Sequence, residues 1–131
     1  MRTYVLAAVV GTLIALLGVH LALGQSEDVA KIMRQKLSYA QAILEGVTTE
    51  DYKKITDSAE AMLEVTHQAE WNVIDRPDYL AFSMEFRHAL YKLTDSAQQR
   101  SADGVALDYL QMTMACMSCH RFVRGVRKVE K

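Results

Sequence analysis

Apolar residues recur three and four positions apart along the chain after residue 25, which is the spacing of one face of an α-helix. Four stretches show this spacing, and short polar segments separate them. No stretch alternates strictly between apolar and polar residues, as a half-buried strand would. We therefore predict an all-α fold, in which four helices joined by short turns form an antiparallel up-down-up-down four-helix bundle.

Capping residues and turn formers predict where these helices begin and end. Ser26 should cap the first helix, and Gly46 should end it. A capping box in residues 48–51 should start the second helix. Pro77 suits the first position of the third helix, and residues 101–104 should separate the third helix from the fourth. The apolar stripe of the first helix, expected to face inward, consists of Val29, Ile32, Met33, Leu37, Ala40, Ile43, Leu44 and Val47.

The N-terminal segment differs in composition from the rest of the chain. Residues 5–24 are almost wholly apolar, follow the basic Arg2 and end in Ala-Leu-Gly. This arrangement is typical of a secretory signal peptide cleaved before Gln25. The alternative is an uncleaved membrane anchor, because the apolar run approaches the roughly 20 residues that span a bilayer. We predict a signal peptide over residues 1–24, a single domain over residues 25–131 and export to the periplasm.

The most specific chemical signal is the sequence Cys-Met-Ser-Cys-His at residues 116–120, which has the C-x-x-C-H spacing of c-type haem attachment. Cys116 and Cys119 would form two thioethers, and His120 would be the proximal iron ligand. On a helix these positions share one face. A redox dithiol would need a βαβ context, a structural zinc site would need four ligands, and a disulfide across three helical positions has poor geometry. The expected cofactor is one covalent haem c.

Together, four predicted helices and a C-x-x-C-H motif on the last of them resemble the class II cytochromes c, which include cytochrome c′ and its low-spin, Met-ligated relatives. The resemblance covers the layout of residues 25–131 and, in motif, Cys116, Cys119 and His120. It also covers Arg124, because the family often has Arg four residues after the haem His. The chain departs from the family at Val123, where an aromatic residue is usual.

The resemblance implies that Met33 is the distal iron ligand, as in the low-spin members. The predicted topology agrees, because Met33 and His120 would lie roughly 9 and 12 Å from helix ends at the same end of the bundle. Methionine on an apolar stripe is most often only packing. His67, near the end of the second helix, is the main competitor, and five-coordinate iron without a sixth ligand is the remaining option.

These assignments predict a non-enzymatic electron-transfer protein with low-spin His/Met-ligated iron, because two axial ligands leave no site for a substrate. The alternative is a five-coordinate, cytochrome c′-like haem protein that binds small gases such as NO and CO. A peroxidase is the least favoured option, since only His67 is available as a distal acid–base group. The expected partners are redox proteins that dock through a small, weak interface.

Charge limits the other partners. The formal net charge of −1 becomes −2 when the leader and its Arg2 are removed, which argues against nucleic-acid binding. A membrane is a partner only if the leader is uncleaved. A homodimer is a further option, because members of the family often dimerise through helices one and two. Basic residues gather near the C-terminus, either as cations that complement the helix dipole or as a docking or haem-propionate site: Arg121, Arg124, Arg127, Lys128 and Lys131.

Overall fold

The computed structural model describes residues 28–70 and 77–129, and it describes side chains within residues 28–67 and 79–125. This part of the chain is helical except for its short connections, and it contains no strand, as predicted. The helices are α1 (28–49), α2 (Tyr52–Glu70), α3 (Pro77–Gln98) and α4 (Ala102–Val129). The predicted signal peptide over residues 1–24 lies outside the described residues. None of the described helices is long and apolar enough to cross a membrane.

The turn between α1 and α2 lies later in the chain than the sequence predicts, at residues 50 and 51. Helix α1 does not end at Gly46 but continues to residue 49, and Glu50 then adopts a left-handed conformation with φ 54°. The Asp51 amide donates to the Gly46 carbonyl at 2.9 Å, which is the closing bond of a Schellman motif. Asp51 also caps α2, because its carboxylate accepts a hydrogen bond from the Lys54 amide at 3.0 Å.

The predicted capping role of Thr48 was therefore wrong. Its hydroxyl donates to the Glu45 carbonyl at 2.9 Å, within the last turn of α1. Gly46 does not end the helix but lies where α1 contacts α2, and a Cβ atom at this position would lie 2.8 Å from Ile55 Cγ1. The glycine allows α1 and α2 to approach closely just before the turn.

The turn between α3 and α4 repeats the same construction. Arg100 adopts φ 54°, and the Ser101 amide donates to the Ser96 carbonyl at 3.0 Å. Ser101 then caps α4 by accepting a hydrogen bond from the Gly104 amide at 3.1 Å. Only residues 99–101 separate the two helices. Gly104, which was expected to belong to the break between them, lies inside α4.

All four helices contribute to one apolar core. Its fully buried side chains include Ile43 of α1, Ile55 of α2, Leu90 of α3 and Met112 of α4. Helix α3 packs against both α2 and α4. Two members of the predicted inward stripe of α1 do not join the core, because Leu37 is 59% exposed and Leu44 is 44% exposed. Both lie at one edge of the apolar stripe, and Leu37 borders the cavity described below.

Specific contacts join α3 and α4 along their length. The rings of Phe82 and Phe122 have centroids 5.2 Å apart. Nearer the turn, the Lys92 ammonium donates to Gln111 Oε1 at 2.9 Å.

Candidate cofactor site

A cavity of about 720 Å³ opens among the four helices, and all four contribute to its walls. This volume lies within the range of about 300–1,000 Å³ typical of ligand and cofactor sites. The lining residues are Met33, Arg34, Lys36, Leu37 and Ala40 of α1, Met62 of α2, Tyr79, Phe82, Ser83 and Phe86 of α3, and Tyr109, Met112, Thr113, Ala115, Cys116, Met117, Cys119, His120 and Arg124 of α4.

Helix α4 places the C-x-x-C-H motif on the wall of this cavity. Cys116 and Cys119 are half-buried free thiols, and His120 is exposed at the border. Burial raises the pKa of both thiols, while the positive charge of Lys36 acts in the opposite direction. The spacing of three and four residues explains why one helical face presents all three groups to the same space.

The other two predicted site residues also border the cavity. Met33 is half-buried on α1 and packs against the small cluster formed by Ile32 and Val65. Arg124 is exposed on α4, one helical turn beyond His120. The structure thus brings together five residues that the sequence assigns to one site, although more than 80 positions separate Met33 from the motif.

Among the residues that the structure describes, the lining contains three cationic side chains and no carboxylate. Two of these cations, Arg34 and Lys36, were missed by the sequence analysis, which considered only basic residues near the C-terminus, Arg124 among them. Lys36 is half-buried, and its ammonium lies 5.0 Å from the centroid of the Phe86 ring, in the range of a cation–π contact. Its position three residues after Met33 places both on one face of α1, which is the signal that would have identified it.

Aromatic rings from α3 form another wall. Tyr79 and Phe86 are buried, and Phe82 is half-buried. Phe122 packs against Phe82 from α4. The family resemblance would place an aromatic residue directly before Arg124. In this chain the aromatic residue is Phe122, one position earlier, and its ring packs against Phe82 of the cavity wall.

The remaining candidates differ in their relation to the cavity. His67 is exposed and is not among the lining residues of the cavity. Met62 of α2 is buried and also borders the cavity. Met84 is 56% exposed and lies away from it.

The lining fits a haem by the chemistry of its groups. A porphyrin needs a large apolar space, two thiols beside an imidazole for covalent attachment, and cations for its propionates, and each kind of group is present. The described residues contain no cluster of three or more His, Cys, Asp or Glu side chains able to hold a metal ion by themselves.

No protein-family model matches the chain, and no curated protein or solved structure shows significant similarity to it. The assignment of a function therefore depends on the motif and on the geometry of the cavity.

Proposed function

We propose that the chain is an exported c-type cytochrome that carries one covalent haem and transfers electrons through low-spin, His/Met-ligated iron. The observation that carries this proposal is that Cys116, Cys119, His120, Met33 and Arg124 border one apolar cavity, with no carboxylate among its described lining residues. A chance C-x-x-C-H sequence would have no reason to face such a space.

Each residue has a separate task in this proposal. Cys116 and Cys119 would hold the cofactor covalently through thioether bonds, which would prevent its loss after export. His120 and Met33 would hold the iron through an imidazole nitrogen and a thioether sulfur, and a thioether sulfur favours the reduced state of iron. Haem supplies a one-electron couple when bound. With both side chains bound to the iron, no position would remain for a substrate, so the protein would exchange electrons with its partners.

Three cationic side chains of the lining would stabilise the anionic propionates of the haem. Arg124 was proposed for this role from the sequence, and the positions of Arg34 and Lys36 extend it. Charge-assisted hydrogen bonds of this kind are stronger than neutral ones. A positive lining also favours the reduced over the oxidised iron, because reduction lowers the net charge of the site.

The helices would form the antiparallel up-down-up-down bundle that the turn lengths suggest. The pairs that join α3 and α4 support this arrangement, since Phe82 near the start of α3 meets Phe122 near the end of α4. Ser96, near the end of α3, meets Asp108 in the first half of α4. Short links also connect α1 to α2 and α3 to α4.

Export follows from the leader and from the chemistry of attachment, because c-type haem is attached outside the bacterial cytoplasm. Residues 1–24 would be removed, leaving Gln25 as the new N-terminus. N-terminal sequencing of the periplasmic protein tests this directly. A membrane-bound product that begins at Met1 or Arg2 would instead identify the segment as an anchor.

Two measurements test the haem and its coordination. After acid–acetone extraction, the colour should remain with the protein, since thioether bonds survive this treatment, and free haem in the solvent would contradict covalent attachment. The absorption spectrum should show low-spin bands with a weak sulfur-to-iron band in the far red. A high-spin spectrum would instead support the five-coordinate, gas-binding alternative.

A further inference from the structure

The outer face of α4 carries a stripe of exposed apolar side chains. Leu107, Leu110, Met114 and Met117 are between 44% and 68% exposed, and all four point away from the core residue Met112. Their spacing of three, four and three residues is that of a coiled-coil seam. Large apolar side chains that are contiguous on a surface mark an interaction site more often than isolated ones do.

This stripe is free of charge along its whole length. Between residues 104 and 119 the only charged residue is Asp108, which is 8% exposed and faces α3. Its carboxylate accepts a hydrogen bond from the Ser96 hydroxyl at 2.6 Å and lies 3.6 Å from the Lys92 ammonium. The outer face of this segment is therefore uncharged, and a second such face can approach it without electrostatic repulsion.

Opposite charges stand at the two ends of the stripe. Asp103 comes four residues before Leu107, and Arg121 comes four residues after Met117, and both are exposed. The spacing of the four apolar residues is the same when it is counted from either end of the stripe. A two-fold axis at the level of Met112 would therefore bring the stripe of one copy onto the stripe of a second copy. Such an axis would place Asp103 opposite Arg121 of a second copy.

We propose that this face of α4 docks against the same face of a second copy, with the two helices antiparallel. In this pairing Leu107 packs against Met117 of the second copy, and Leu110 packs against Met114. Two Asp–Arg pairs close the ends of a seam about 27 Å long, at 1.5 Å per residue. The interface is isologous, the commonest kind in homodimers.

Other occupants fit this face less well. A parallel pair of α4 helices would place Asp103 against Asp103 and Arg121 against Arg121, which is unfavourable. A helix that lies on a membrane surface usually has cations along the flanks of its apolar stripe, whereas residues 104–119 contain no Lys or Arg. A second copy is the one partner whose charges match at both ends.

The dimer is expected to be weak. One helical face covers less than the roughly 800 Å² per partner of a standard interface, so we expect a Kd on the order of micromolar. The inference does not depend on the haem, although Met117 also borders the cavity. It differs from the pairing through helices one and two that the family resemblance implies.

Sedimentation velocity of the intact protein from about 1 to about 500 μM, a range that brackets a micromolar Kd, tests the proposal. We expect a reversible monomer–dimer equilibrium. Leu110→Lys should raise Kd at least tenfold, because each dimer then buries two uncompensated charges. Leu44→Lys, on the exposed side of α1, is the matched control and should leave Kd unchanged.

Charge exchange then tests the direction of the helices. Asp103→Arg alone and Arg121→Asp alone should each raise Kd several-fold, and the double variant should restore the wild-type Kd. Only an antiparallel pairing gives this loss and rescue. In a parallel pairing like charges would meet at both ends in the wild type, in each single variant and in the double variant, so all four would have about the same Kd. The proposal is overturned if the protein stays monomeric throughout the range, if Leu44→Lys abolishes the dimer while Leu110→Lys does not, or if the double variant fails to restore Kd.

Discussion

Of the four methionines that border the cavity, Met33 and Met62 lie on helices other than α4, which carries His120, and their burial differs. Met62 is 1% exposed and belongs to the main core, whereas Met33 is half-buried beside a smaller cluster. A sulfur that is fixed in a core by packing on all sides has little freedom to turn toward a metal. Met33 is therefore the better candidate for the sixth ligand.

Replacing Met33 with Ala should convert the iron to high spin, lower the reduction potential and allow the reduced protein to bind carbon monoxide. Met62→Ala should instead cost about 2–5 kcal/mol of stability with an unchanged spectrum, because it removes a buried side chain. Met84→Ala, which alters an exposed methionine, should change stability by no more than about 0.5 kcal/mol. Optical spectra and urea unfolding of the three variants check these results. If Met62→Ala alone turns the iron high-spin, the ligand has been misassigned.

The two thiols make the stability of the haem-free chain depend on pH. Burial raises the pKa of Cys116 and Cys119, so the folded chain keeps protons that the unfolded chain loses above about pH 8.5. The free energy of unfolding should therefore be constant below that pH and fall as pH rises through it. Urea unfolding of the chain produced without haem measures this slope.

The slope should disappear in the Cys116→Ser, Cys119→Ser double variant, which has no thiols to titrate. Lys36 lowers the pKa of both thiols in the folded chain, so Lys36→Met should raise these pKa values further. The decline should then begin at the same pH, which the unfolded chain sets, but extend to higher pH and become larger. Alkylation by iodoacetamide follows the same thiols independently. Reactivity like that of a free cysteine would show that burial does not protect them.

Among the elements, the helix boundaries were not all predicted equally well. Pro77 begins α3 as predicted, because a proline at the first helical position leaves a clear sequence signal. The end of α1 was placed too early, because Gly46 is the only glycine nearby and glycine usually follows a helix end. The residue that occupies that left-handed position is Glu50, which gives no such signal.

A similar reason explains which parts of the site were missed. The motif was accessible from its spacing, Met33 from the family resemblance together with the apolar stripe, and Arg124 from the resemblance alone. Arg34 and Lys36 were not, since the charged residues of an amphipathic helix are ordinarily solvated. A long lysine side chain can reach over an apolar surface, and Lys36 does so at Phe86.

Glycine at the two left-handed positions should stabilise the protein. Both Glu50 and Arg100 have φ 54°, which costs a residue with a Cβ atom about 1–2 kcal/mol. Part of this gain is lost because glycine makes the unfolded chain more flexible. Glu50→Gly and Arg100→Gly should each raise the free energy of unfolding by about 0.5–1 kcal/mol. Chemical denaturation checks this, with Glu50→Ala and Arg100→Ala as controls that should show no gain; an equal gain from alanine would contradict the explanation.

At the scale of the whole molecule, the cavity takes the place of part of the core. Buried residues such as Leu90 and Leu93 fill the space nearer the α3–α4 turn, whereas the end that holds the motif surrounds about 720 Å³. Apolar walls around such a space gain stability only when something apolar contacts them. A covalently attached ring would therefore act as a core residue for this half of the bundle.

Attachment of the haem should accordingly raise Tm. Contact with about 100 Å² of apolar ring would add about 2.5 kcal/mol. In a domain of this size, each kcal/mol shifts Tm by about 4–8 °C, so an increase of at least about 10 °C is expected. Calorimetry should compare the haem-loaded protein with a Cys116→Ala, Cys119→Ala variant produced without haem. The variant should melt earlier and less cooperatively, because the walls contributed by α1 and α4 then lack a shared partner. Equal Tm values and equal cooperativity would show that the four helices close their own core and that the cavity contributes nothing to the fold.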